Sequence, residues 1–149
     1  MFKVKKIGKP AQWLVEAAES IGLDFSEFTH EITNHFKNHV INRHGDPAKH
    51  GGATVAEKDF DKIPDILKTP DIVIIGATRW NLTCNVYMKI ESGITYLYFE
   101  DILDSKRNQC LRGRTLYKVT RPLSLDEVLK NVIRNDKTAI SKAKILKLP

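Results

Sequence analysis

Cysteine is nearly absent from this chain. Its 149 residues hold two, Cys84 and Cys110, without CxxC spacing. Neither a thiolate zinc site nor a disulfide scaffold can be read from them. Cys84 alternates with Val86 and Met88 and is expected to be a buried thiol. Long hydrophobic runs are missing as well. Nothing approaches the ~18–20 apolar residues that cross a bilayer, and no apolar signal-peptide stretch follows the basic start MFKVKKIGKP. If the protein is secreted, something outside this segment must deliver it. The triplet NLT at 81–83 matches a glycosylation sequon and, without a signal peptide, reads as coincidence. The 8 glycines and 6 prolines are scattered. With no low-complexity linker and no internal repeat, residues 1–149 read as one domain, large enough for a real core.

Acid is in shorter supply than base. Twenty-four Lys and Arg face eighteen Asp and Glu, a formal net charge of +6. The excess is uneven: Lys106, Arg107, Arg112, Arg114, Lys118 and Arg121 stand against Asp104 alone between Leu103 and Arg121, and the tail 136–149 adds more lysine. A polyanionic partner and a merely solvated basic face are both compatible with this pattern.

Apolar spacing predicts the elements. Pro10 and the pattern Trp13, Leu14, Ala17, Ala18 give a first helix ending at Gly22, and a second runs from about Ser26 to Arg43. After the loop DPAKHGGA, Thr54 with Glu57 suggests a capping box for a short helix through Phe60. IVIIG reads as a strand buried on both faces or at the centre of a sheet. CNVYMKI and ITYLYFE, separated by ESG, make a hairpin, and GRTLYKVT is a further strand. Ser124 and Glu127 cap a last helix, LDEVLKNVI. The expected fold is α+β: N-terminal helices packed on a mainly antiparallel four-stranded sheet, followed by a C-terminal helix. Its core is the Phe28, Ile32, Phe36, Val40 stripe.

The stretch NHVINRHGD, 38–46, concentrates the chemistry. At 100° per residue His35 and His39 fall near the stripe, Arg43 lies one turn on, and His44 marks the helix end. His39 can be a satisfied core histidine and His44 a cation at the negative end of the helix. His35 and His39 at i, i+4 can ligate a metal, yet HEITNH is not HExxH and offers no third ligand. The remaining reading is acid–base work on phosphodiesters, with histidine near its useful pKa and arginine stabilising phosphorane charge. Thr115 and Tyr117 share one strand face, with Arg114 and Lys118 on the other. The hydroxyls can hold phosphate oxygens and Tyr117 can stack on a base, or both can be ordinary strand packing.

HVINRHGD, the Gly-rich loop, VAEKDFDKIPDILKTPDIVI, a hairpin ending YLYFEDI, and RTLYKV follow one another in an order that resembles the phage- and polymorphic-toxin-associated nucleases of the barnase–EndoU–colicin–RelE superfamily, over about residues 26–120. The resemblance implies RNA cleavage without a metal or other cofactor. The 2′-hydroxyl would attack the adjacent phosphate, leaving a 2′,3′-cyclic phosphate. It implies His39, Arg43, His44, Thr115 and Tyr117 as catalytic residues, with His39 the first choice for acid or base, His44 the second, and Arg43 on the phosphate. Arg79 and Lys89, with Arg114 and Lys118, are added as substrate ligands. Glu100 is a base or a solvated strand end, and His50 a loop residue at the surface. The implied partners are RNA, with transfer RNA a candidate, and an acidic immunity protein or antitoxin; no membrane partner is expected. Action is expected in the cytoplasm of a target cell, with delivery as the C-terminal part of a larger secreted toxin. Against this stand a phage nucleic-acid-binding module without catalysis, which needs the basic surface but not His39, and a metal-dependent hydrolase built on His35 and His39.

Overall fold

A computed structural model describes residues 3–79, 82–105, 107–133 and 139–148. The elements in chain order are β1 (Val4–Gly8), α1 (Gln12–Glu19), β2 (Thr29–Thr33), α2 (Asn34–His44), α3 (Pro47–His50), α4 (Ile63–Lys68), β3 (Ile72–Arg79), β4 (Leu82–Glu91), β5 (Ile94–Asp104), β6 (Gln109–Val119), α5 (Leu125–Ile133) and β7 (Lys144–Lys147). The class is α+β, but among the described residues the sheet has seven strands in the order β1-β2-β6-β5-β4-β3-β7. The expected antiparallel four, β3 to β6, form its middle. The basic start supplies β1, and the basic tail supplies β7, antiparallel to β3. The sheet is mixed because β2 runs parallel to β6, with Glu31 opposite Arg112.

The predicted helix 26–43 is really two elements. Thr29–Thr33 is strand, since β-branched Thr29, Ile32 and Thr33 suit a pleated surface better than a helix. The helix starts only at Asn34, where the Thr33 hydroxyl accepts the Phe36 N–H at 3.0 Å. Burial of Phe28, Ile32, Phe36 and Val40 holds across the change, because a strand running into a helix can keep its apolar side chains on one side. The Thr54 capping box is also absent. The Thr54 hydroxyl donates to the Gly51 carbonyl at 2.6 Å, and the following turn of 3-10 helix, Glu57–Lys62, is closed by Asp59, which accepts the Ala56 N–H at 2.7 Å. Local signals elsewhere were sufficient. Ser92 and Gly93 turn the β4–β5 hairpin at φ of 54° and 77°, and Ser124 exchanges hydrogen bonds with Glu127 at the start of α5.

The sheet separates two apolar layers. On one face α1, α2 and α4 bring Leu14, Phe36, Val40, Ile63 and Ile66 onto Val73, Ile75, Tyr87, Tyr98, Leu111 and Leu116. On the other, Val128 and Val132 of α5 cover Ile74, Cys84, Val86, Met88, Leu97 and Phe99. Cys84 and Cys110 are both buried.

Beneath the helices lies a buried polar cluster. Glu100 is fully buried, neither solvated nor exposed to a substrate. Its carboxyl oxygens bond His30 Nδ1 at 2.8 Å, Asn85 Nδ2 at 3.0 Å and the Tyr87 hydroxyl. Burial and the adjacent Glu100 push the Tyr87 hydroxyl well above the usual phenol range. His30 comes from β2 and Glu100 from β5, so the histidine reaches over β6, which lies between them. On β6 the residue paired with Glu100 is Gly113. A Cβ at Gly113 would meet the Tyr98 hydroxyl at 2.6 Å and the Ile32 side chain at 3.0 Å. Glycine is needed here for space.

Candidate active site

The site follows from how β2 ends. After Glu31 and Arg112 the β2–β6 ladder stops. The chain turns into α2, which packs against the length of β6 that β2 leaves uncovered. Phe36 and Val40 enter the helical core. The next turn of α2 carries His39, Arg43 and His44 to the edge of β6. The His44 ring lies on the Tyr117 ring with centroids 5.5 Å apart and planes 30° apart. Tyr117 in turn stacks on Phe99 at 5.9 Å and 21°. Thr115 sits opposite Phe99 on the same strand face. His44 of α2 thus meets Tyr117 of β6 directly, with His39 and Arg43 beside it on the helix, while Thr115 shares the Phe99 face of β6, the face turned away from Phe36 and Val40.

A β-bulge corrects the expected place of Arg114. Phe99 pairs with Thr115 but Glu100 pairs with Gly113, so Arg114 is the extra residue. Strict alternation would aim it away from Thr115. Instead its guanidinium binds both oxygens of Asp101, at 2.9 and 3.0 Å, on the side of the sheet that carries Phe99. There it acts electrostatically on His39.

The other predicted ligands lie elsewhere. Lys118 Nζ is 3.0 Å from Asp59, and both are largely buried on the helical side. Lys89 Nζ binds the carbonyl and hydroxyl oxygens of Thr69, at 2.7 and 3.0 Å. Alternation assigns a lysine to a face but does not reveal a buried carboxylate or carbonyl waiting there. Arg79 ends β3, and its side chain lies outside the described residues, as does Asn81 of the sequon. His35 is exposed. Among the described residues no group of three or more His, Cys, Asp or Glu is arranged to hold a metal ion. A groove of about 160 Å³ lined by Lys5, Lys6, Ile7, Ile32, Phe60, Asp61 and Pro64 contains no imidazole.

His50 is the residue that sequence reasoning left at the surface. The loop folds back so that its Nε2 is 2.9 Å from the Arg43 carbonyl oxygen, and its ring centroid is 5.8 Å from that of His44. A signal was present in DPAKHG: Asp46 caps, Pro47 starts and Gly51 stops a one-turn helix.

Burial and neighbouring cations disfavour the charged forms of His39 and His44. Burial first, then Arg43, His35 and Arg114, lower the His39 pKa below its ordinary 6.5. Burial, then His50, His39 and Arg43, lower that of His44. Such groups near cations are poised as bases at neutral pH, and an arriving phosphate would favour their protonation. Stability responds in a defined direction. Above 6.5 neither histidine adds pH dependence. Below it the unfolded chain takes up protons first, and stability falls until the folded-state values are passed. Thermal unfolding from about pH 7.5 to about pH 4.5 should show this decline, and the His39→Gln/His44→Gln protein should show less of it. An identical slope in the double variant would refute the shifts.

No curated protein and no solved structure matches the chain. A family match covers residues 8–125, from the last residue of β1 through β6 and thus the whole of the cluster. The chain belongs to that family, PBECR3, the phage-Barnase-EndoU-ColicinE5/D-RelE like nucleases.

Proposed function

We propose that this nuclease is a toxin-type endoribonuclease that cuts RNA by internal transesterification at the α2–β6 seam. The observation that carries the reading is the pairing of two imidazoles with lowered pKa, His39 and His44, with the guanidinium groups Arg43 and Arg114. One imidazole, His39 in the first instance, takes the proton of the 2′-hydroxyl as that oxygen attacks the adjacent phosphorus. The P–O5′ bond breaks, and the second imidazole, once protonated, returns a proton to the departing 5′-oxygen. Arg43 holds the phosphate and stabilises its added charge, with Arg114 beside it. Thr115 positions a phosphate oxygen, and Tyr117 contacts the phosphate or a base. The products are a 2′,3′-cyclic phosphate and a 5′-hydroxyl. Transfer RNA is a candidate substrate, and the cationic seam offers an acidic immunity protein a complementary surface.

The test is incubation of the protein with total RNA in excess EDTA, followed by mapping of the new ends. Discrete cuts bearing cyclic phosphate are expected. RNA that stays intact with folded, inhibitor-free protein would overturn the reading, and a gel shift on the same RNA would then point to a binding module.

A further inference from the structure

The loop after α2 is built to return. Asp46 accepts the Ala48 N–H at 2.9 Å and caps the single turn that Pro47 begins. Gly51, at φ +53°, ends that turn. The Val55 N–H donates to the His44 carbonyl at 2.8 Å and closes the loop onto the helix end. His50 is therefore held in place by named contacts. A carbonyl oxygen can only accept, so His50 Nε2 carries a hydrogen to Arg43, and Nδ1 is the atom left to gain or lose a proton. The bond to Arg43 survives in either charge state.

Among the described residues, the charged and titratable groups acting on His44 are His50 from this loop and His39 and Arg43 from its own helix, while Tyr117 of β6 presents a ring face. Arg43 is permanently charged, and His39 is committed to the reaction. His50 is the neighbour from outside the helix whose charge can change.

We infer that His50 is a positioning residue of this site: held by the Arg43 carbonyl beside the His44 ring, it sets the charge state of His44. An imidazolium at His50 would oppose one at His44, whose ring centroid is 5.8 Å away. The inference rests on the reading of His44 as a proton-carrying group in RNA cleavage.

The experiment follows the His44 ring resonance by NMR through a pH titration in the wild-type, His50→Gln and His50→Lys proteins, with His44→Gln to assign the signal. The pH profile of RNA cleavage is recorded on the same proteins. Glutamine keeps a donor for Arg43 but no charge, so the His44 midpoint is expected to rise by about 0.3–1 pH unit. Lysine keeps a fixed cation, so the midpoint is expected to fall. The limb of the cleavage profile that His44 controls should move the same way in each. Opposite shifts from two folded variants cannot come from a merely structural role. His44 midpoints that coincide in all three proteins would overturn the inference. So would midpoints that move while the cleavage profile stays still. Wild-type protein that cuts no RNA would instead overturn the ribonuclease reading and with it the catalytic meaning of the pair, leaving the NMR result to judge the coupling alone.

Discussion

The His39→Ala protein is expected to cleave RNA about 10²–10⁴-fold more slowly than the wild type, the usual worth of a positioned acid or base. The fold should survive, because packing in this part of α2 is supplied by the buried Phe36 and Val40, while His39 stays partly exposed. RNA binding should survive too, since Arg43 and Arg114 remain. The loss should therefore fall on kcat, with KM little changed. A side effect provides an internal check. His39 is one of the groups that lower the His44 pKa, so removing it should raise the pH at which His44 titrates. If activity stays within about twofold of the wild type, His39 is not the acid or base, and His44 becomes the residue to replace. If binding and cleavage fall together, His39 holds the substrate rather than moving a proton.

Glu100→Ala is expected to be the costliest single change to stability. It strands three buried groups at once: His30 Nδ1, the Asn85 amide and the Tyr87 hydroxyl, all bonded to the same carboxyl. Removing one member of such a buried cluster costs about 3–5 kcal/mol, a large part of the total stability of a small domain. Glu100→Gln keeps the shape and an acceptor oxygen, so it should cost clearly less. Chemical denaturation of the three proteins gives the ordering, wild type above Gln above Ala. Equal stability of the Ala and Gln variants would show that the carboxyl's hydrogen bonds contribute little and that volume alone matters.

Elements defined by neighbours in sequence were legible. The α5 capping box and the β4–β5 hairpin each need only a few adjacent residues. The flanks of the sheet were not. Strand β2 exists because Thr29–Glu31 meet Cys110–Arg112, and no local window contains both. The stripe Phe28, Ile32, Phe36, Val40 has helical spacing throughout, so periodicity could not show where strand gives way to helix. Strands β1 and β7 are short and lysine-rich, as edge strands tend to be, and such composition reads as a solvated terminus. At the site, the motif order pointed to the end of α2 and to β6, and the fold lays His44 of the one on Tyr117 of the other. The bulge that turns Arg114 toward Asp101 depends on a register shift, and the engagement of Lys118 by Asp59 depends on tertiary packing. Neither leaves a mark in alternation. His50 was less legible because the Gly and Pro of DPAKHGGA suit an irregular loop as well as the short capped turn from Asp46 to Gly51.

The parallel pairing of β2 with β6 also orders events in time. The residues that pair lie far apart in the chain, Glu31 with Arg112, and long loops close slowly. On a ribosome adding about 5–20 residues per second, the helix bearing His39 and His44 would emerge several seconds before the strand bearing Arg114 and Tyr117. Until then α2 has no β6 to lie against, and its histidines have no opposite wall. A nascent chain would thus carry half of the proposed site while the stretch between α2 and β6 is made, and the site would be complete only once β6 has docked.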